Sequence, residues 1–307
     1  MLAAMADAAT LPIDGNAAAA ASAQPFDGAG LRIYACAELD RAIALLARRG
    51  GRIHGGVHQG RKSLRRTRAT LALGEPVLGP GADLLQREIA RINRKLSQLR
   101  DAQALIETLD RLMRKDIAHE CLPILRRVRR IAAKARAERA RQALTDDPGL
   151  SEKRALLSTL RAALPALVWD AVTIENVREA LRLSQKRVDE SGTRARLSGR
   201  DEDWHRWRRR VRRLSQQHRA LGDAWPDIDS AKKRCKTLAE YLGEAQDYAL
   251  LRDHTGKRSP FADVDRAVLR ALADAGTKHA RERIERSLGI AAEVALPPLP
   301  SRAAPNS

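Results

Sequence analysis

The chain has 307 residues, room for one large domain or two smaller ones. Lys plus Arg outnumber Asp plus Glu by 57 to 38, a formal charge of +19, so an acidic partner is expected: nucleic acid, an anionic membrane surface or another polyanion. Aromatics at 3% leave few platforms for base stacking, and no apolar run reaches the roughly 20 residues of a membrane span; three scattered cysteines suit a reducing cytosol and make neither a disulfide framework nor a zinc site.

Residues 1–36, rich in Ala, read as a disordered leader without the basic start of a secretion signal. Residues 37–49 form a helix with Leu39, Ile43 and Leu46 on one face, interrupted at Gly50-Gly51. A strongly basic helix follows from Ile53 to Leu73, then a loop marked by Gly74, Pro76, Gly79 and Pro80. One long helix is expected over 82–114 and another over 116–144, closed by the turn Asp146–Gly149. A shorter helix over 151–163 opens on S-E-K-R, which resembles a capping box.

Pro165 to Thr173 is a break, with Trp169 packed inside. Further helices are expected over 174–196, 203–220, 229–255 and 262–288, with Trp225-Pro226 ending the second of these. No alternating strand pattern survives. The expected architecture is all-α, with two pseudo-symmetric bundles of about four helices each, over 37–165 and 166–289, and a flexible tail over 290–307.

Two stretches carry the chemistry. V-H-Q-G-R-K-S-L-R-R-T-R runs from Val57 to Arg68, and W-H-R-W-R-R-R-V-R-R-L-S runs from Trp204 to Ser215. In each, a His is followed by cations at +3, +4, +7 and +8, which places the His and three cations on one helix face. The opposite face is apolar: Trp204, Trp207, Val211 and Leu214 have core spacing, and Val57, Leu64 and Leu71 recur every seven residues. No Asp or Glu occurs from Arg52 to Gly74 or from Trp204 to Gly222. The like-charge pairs of the first stripe should cost about 1–2 kcal/mol. A polyanion would cancel that cost.

These two stretches resemble the signatures of CHAD domains, helical domains named for their histidines. L-S-Q-L-R-D (Leu96–Asp101) and L-G-E-A-Q-D (Leu242–Asp247) resemble the family's L-G-x-x-[RN]-D elements. The similarity covers roughly residues 38–289. Ser97 departs from the family's Gly, and Ser215 and Gln216 stand where Arg and Tyr are usual. The resemblance implies binding of inorganic polyphosphate, association with polyphosphate granules in the cytoplasm, and two stripes lining one shared groove.

The first expected contacts are His58, Arg61, Lys62, Arg65, Arg68, His205, Arg208, Arg209 and Arg212. Arg91, Arg94, Lys95, Lys233 and Lys236 are expected to add to them from the helices that follow each stripe. Arg offers a planar fork for two phosphate oxygens, Lys a point charge and His one or two donors. Asp101 and Asp247 are expected to cap a helix or orient a cation.

No cofactor, metal site or catalytic centre is expected. The pair His54 and His58 lacks a third ligand. No P-loop, nucleophile elbow or E-x-E metal motif occurs. Weak, non-specific nucleic-acid binding is the alternative reading of the charge.

Overall fold

Small side chains on one face of the first stripe decide how the chain begins. In the computed structural model, which describes residues 28–292 apart from 76, 116–117, 223–228 and 257–258, helix α1 (Gly28–Leu46) lies against α2 (Ile53–Leu71). A Cβ on Gly56 would overlap the Leu45 carbonyl oxygen, and one on Gly60 would meet Leu46 Cδ2 at 3.3 Å. Arg66 Nη1 then donates to Glu38 Oε1 at 2.9 Å across the same seam. The leader therefore does not extend to residue 36: Leu31, Ala35 and Leu39 recur at one-turn spacing and are buried, which draws residues 28–36 into α1. The expectations for 1–27, Pro76, Trp225-Pro226 and 293–307 lie outside the described residues.

The expected helix over 82–114 is two, α3 (Gly79–Lys95) and α4 (Ser97–Leu112), divided at Leu96. Ser97 needs no glycine conformation there, because Leu150 is the only non-glycine described residue with positive φ. α5 (Cys121–Asp146) begins later than expected because Pro123 can occupy only a first turn. α6 (Ser151–Ala163) matches its expected span, but Ser151 is not its cap. The buried Asp147 does that work, accepting from Glu152 N at 2.9 Å and from Lys153 Nζ at 2.8 Å.

Short 3-10 turns at Leu164–Ala166 and Trp169–Ala171 cross the break, with Trp169 buried and its Nε1 donating to Leu164 O at 2.9 Å. α7 (Ile174–Ser198) opens on a Thr173–Asn176 capping box and closes on Gly199 at φ 64°. α8 (Asp201–Leu221), α9 (Asp229–Asp253) and α10 (Asp263–Ala292) complete the fold. Among the described residues there is no strand.

The packing repeats. α1 lies on α2 as α7 lies on α8, and α5 lies on α4 as α10 lies on α9. The stripe helices α2 and α8 also pack on each other. The hydrophobic interior does not divide at residue 165, however. One core gathers α1, α2, α3 and α6 with Val177 and Ala180 of α7. The other gathers Leu105 and Leu109 of α4, Leu125 and Val128 of α5, and the apolar faces of α8, α9 and α10. The two expected bundles therefore share material: α4 and α5 give most of their buried residues to the second core, while Leu99 and Ala140 stay in the first.

Candidate functional site

Both stripe helices turn their apolar faces to a core, and this fixes where the cations go. On α8, Trp204, Trp207, Val211 and Leu214 are buried, and the two Trp rings pack at a tilt of 55° with centroids 5.3 Å apart. These rings are packing elements with little surface for bases. On α2, Val57, Leu64 and Leu71 are buried in the same way. The remaining face of each helix meets the other across the α2–α8 contact.

Between them lies a cavity of about 420 Å³. Arg65 and Arg68 line it from α2; Arg206, Arg209, Arg210, Arg212 and Arg213 line it from α8, with Ala69 and Gln216. No carboxylate is among these lining residues. Arg65, Arg68, Arg208, Arg209 and Arg212 make no ion pair among the described residues. The Nε atoms of Arg61, Arg65, Arg68 and Arg208 are buried and lack a hydrogen-bond partner. A buried charged donor without an acceptor costs free energy, so this region carries positive charge that its own residues leave uncompensated.

Protonation behaviour reports the same crowding. Burial, then the nearby charges of Arg61, Arg208, Arg100 and Arg66, push the Arg65 guanidinium down to about 9. Burial with Arg65, Arg208, Arg61 and Arg209 holds Arg212 well below the ordinary arginine range. Burial and then Arg213 and Arg94 lower Arg68. These groups stay charged at neutral pH, and the shifts reflect burial and mutual repulsion among the cations.

His58 is pushed down to about 4 by burial and by Arg100, Lys62, Arg65 and Arg61; its Nδ1 is buried and unpartnered. His205 is lowered chiefly by burial, while its Nδ1 is paired with Gln246 Oε1 on α9. Burial lowers Lys62 and Arg208 as well; Arg208 is partly relieved by Asp247.

Of the nine first expected contacts, Arg65, Arg68, Arg209 and Arg212 line the cavity, and His58, Arg61, Lys62, His205 and Arg208 do not, although Arg61 and Arg208 act on the charge of Arg212. The supplementary ones fare differently. Arg94 lies near Arg68, as its effect on that residue requires. Arg91 is engaged by Glu88 at 2.6 Å and Lys236 by Glu240 at 4.0 Å. Lys95 and Lys233 are exposed. None of Arg91, Lys95, Lys233 and Lys236 lines the cavity, because the faces of α3 and α9 that carry them do not point into the α2–α8 seam.

Arg206, Arg210 and Arg213 were not among the expected contacts, and neither was Arg100, which acts on His58, Arg61, Lys62, Arg65 and Arg208. Gln216, where the family pattern would place Tyr, also lines the cavity. Asp247 does orient a cation: it accepts from Arg111 at 2.9 Å. Among the described residues, no helix is long and apolar enough to cross a membrane, and no group of three or more His, Cys, Asp or Glu could hold a metal ion.

The family model of the CHAD domain matches residues 35–256. A search of curated protein sequences returned no match. Among solved structures, the CHAD domain from the plant Ricinus communis is similar with a TM-score of 0.62 and 21% identity, over 90% of this chain and 97% of that one. PptA from Streptomyces chartreusis is similar with a TM-score of 0.61 and 18% identity, over 87% of this chain and all of that one. At these identities the two structures speak for the fold alone.

Proposed function

The chain belongs to the CHAD domain family, and from that premise we propose that its paired stripes bind inorganic polyphosphate, without catalysis and in association with polyphosphate granules in the cytoplasm. The observation that carries this reading is the set of buried, unpartnered guanidinium nitrogens on Arg65, Arg68 and Arg208, gathered where α2 faces α8. Each phosphate unit brings a negative charge and oxygens on every side, which guanidinium forks and imidazole donors can share. The ligand has no base and no apolar surface, and the cavity offers no aromatic side chain to receive one. Selection then rests on charge density and groove width.

Calorimetric titration with polyphosphate tests the reading. A variant carrying Arg61→Ala, Lys62→Ala, Arg208→Ala and Arg209→Ala should stay helical and lose most of its affinity. Unchanged affinity would move the site elsewhere. Competition separates this from general nucleic-acid binding. Polyphosphate should displace bound DNA; if DNA instead readily displaces polyphosphate, the nucleic-acid reading takes its place.

A further inference from the structure

α5 carries a cationic surface of its own. Its apolar side, with Leu125, Val128 and Ala132, is buried in the second core. Arg126, Arg130 and Lys134 follow one another at four-residue intervals, so they stand on one face about 6 Å apart along the axis. All three are exposed, and among the described residues none makes an ion pair or a side-chain hydrogen bond. Other cations of the same helix are compensated: Arg127, Arg129 and Arg141 are held by Asp265, Asp110 and Glu138. Like charges one turn apart repel one another, and an anionic surface would offset that repulsion.

The surroundings of this ridge indicate which kind of surface. The positions that share its face are Pro123, Ala133 and Ala137, side chains with no donor or acceptor to read a base edge. The pair of Arg127 with Asp265 joins the ridge to the start of α10, where Ala262 is exposed and Val264 is 70% exposed. An exposed apolar side chain gains by entering the headgroup layer of a bilayer, whereas the phosphates of a nucleic acid offer it nothing. The exposed carboxylates nearby, Glu138 and Asp263, are engaged by Arg141 and Arg266.

We infer that the outer face of α5, with the start of α10, is a docking surface for a bilayer rich in anionic headgroups. The contact is peripheral: among the described residues no helix is long and apolar enough to cross a membrane. The ridge also turns away from the site between α2 and α8. Arg136, whose charge reaches His54 on α2, lies two residues beyond Lys134, about 200° round the helix. Docking on this face leaves the α2–α8 cavity open, and the inference does not depend on what fills that cavity.

Vesicle flotation of the full chain tests the inference. Vesicles of equal parts phosphatidylcholine and phosphatidylglycerol should carry the protein, and vesicles of phosphatidylcholine alone should not. Each cation at an anionic surface contributes about fivefold in affinity, so Arg126→Gln, Arg130→Gln and Lys134→Gln together should weaken vesicle binding roughly a hundredfold. Arg41→Gln, Arg87→Gln and Lys186→Gln remove the same charge from exposed positions on α1, α3 and α7. That variant should stay within about threefold of the unaltered protein, because charges more than a Debye length from the bilayer are screened. Polyphosphate titration of the α5 variant should stay within about twofold, since its ridge lies outside the cavity. Circular dichroism checks that both variants keep their helices. Equal losses in the two variants would show that net charge alone acts and would overturn the docking surface. So would a fall in duplex-DNA binding of the α5 variant without a fall in vesicle binding, or failure of the unaltered protein to bind the anionic vesicles.

Discussion

Arg111 on α4 donates to Asp247 on α9 at 2.9 Å, an ion pair between residues 136 positions apart. It ties the two sequence halves together beside the cationic site, and the same carboxylate relieves Arg208. Asp247→Asn should lower unfolding stability by about 1 kcal/mol, since both partners keep some exposure to water. It should also tighten polyphosphate binding, because one negative charge next to Arg208 is gone. Urea unfolding and titration of the same variant measure the two effects, and a loss of both would show that Asp247 acts by positioning.

The site should be stabilised by removing what it needs for binding. Arg212 is hemmed in by Arg65, Arg208, Arg61 and Arg209. Arg212→Met keeps the volume and removes one of the repelling charges. Free of ligand, the variant should be more stable by about 1–2 kcal/mol, as seen when buried charges give way to apolar groups. With polyphosphate it should bind at least about tenfold more weakly, an effect typical of a lost charged hydrogen bond. Denaturant titration with and without ligand gives both values.

His58 and His218 are each pushed down to about 4, below the ordinary histidine value of 6.5. For both, burial is the first cause, and nearby cations add to it. In the window between about 4 and 6.5 the unfolded chain binds protons that the folded chain refuses, so stability rises with pH. That contribution is complete above 6.5 and is lost as pH falls through the window. The melting temperature of His58→Gln should fall less steeply with acid than that of the unaltered protein, and the His218 share should remain. Bound polyphosphate should favour the imidazolium of His58, so its stabilising effect should grow as pH drops.

Gly56→Ala should damage the site from behind. The added Cβ would collide with the Leu45 carbonyl oxygen, which as backbone cannot step aside. Separating α1 from α2 should cost about 1–3 kcal/mol, the range of an overpacked core. Polyphosphate affinity should fall as α2 shifts against α8. A stability within about 0.5 kcal/mol of the unaltered protein, the scatter of surface changes, would mean that the seam has slack.

Much of this was legible in the chain. Helical periodicity placed both stripes within a few residues, and the absence of acids on one face of α2 and α8 pointed to an external anion. The break at Leu96 was not legible, because the apolar spacing of Leu96, Leu99 and Ala102 continues through it and the backbone there stays near helical values. Nor was the sharing of α4 and α5 between cores, which periodicity cannot encode: Leu105, Leu109 and Leu125 say that a face is buried, not against what. Arg100 lay inside a quoted motif, but its role depends on α4 turning toward α2, a tertiary fact. Lys233 and Lys236 show the same limit, since their sequence position did not tell that they face water outside the α2–α8 cavity.

The sharing of cores sets when the paired cationic site can form during synthesis. Leu105, Leu109, Leu125 and Val128 have only each other's helices, α4 and α5, to cover them until α8, α9 and α10 have emerged from the ribosome. A nascent chain halted near residue 165 would present greasy, unfinished surfaces and only one of the two arginine rows. The paired cationic site is complete only when translation has delivered the second row.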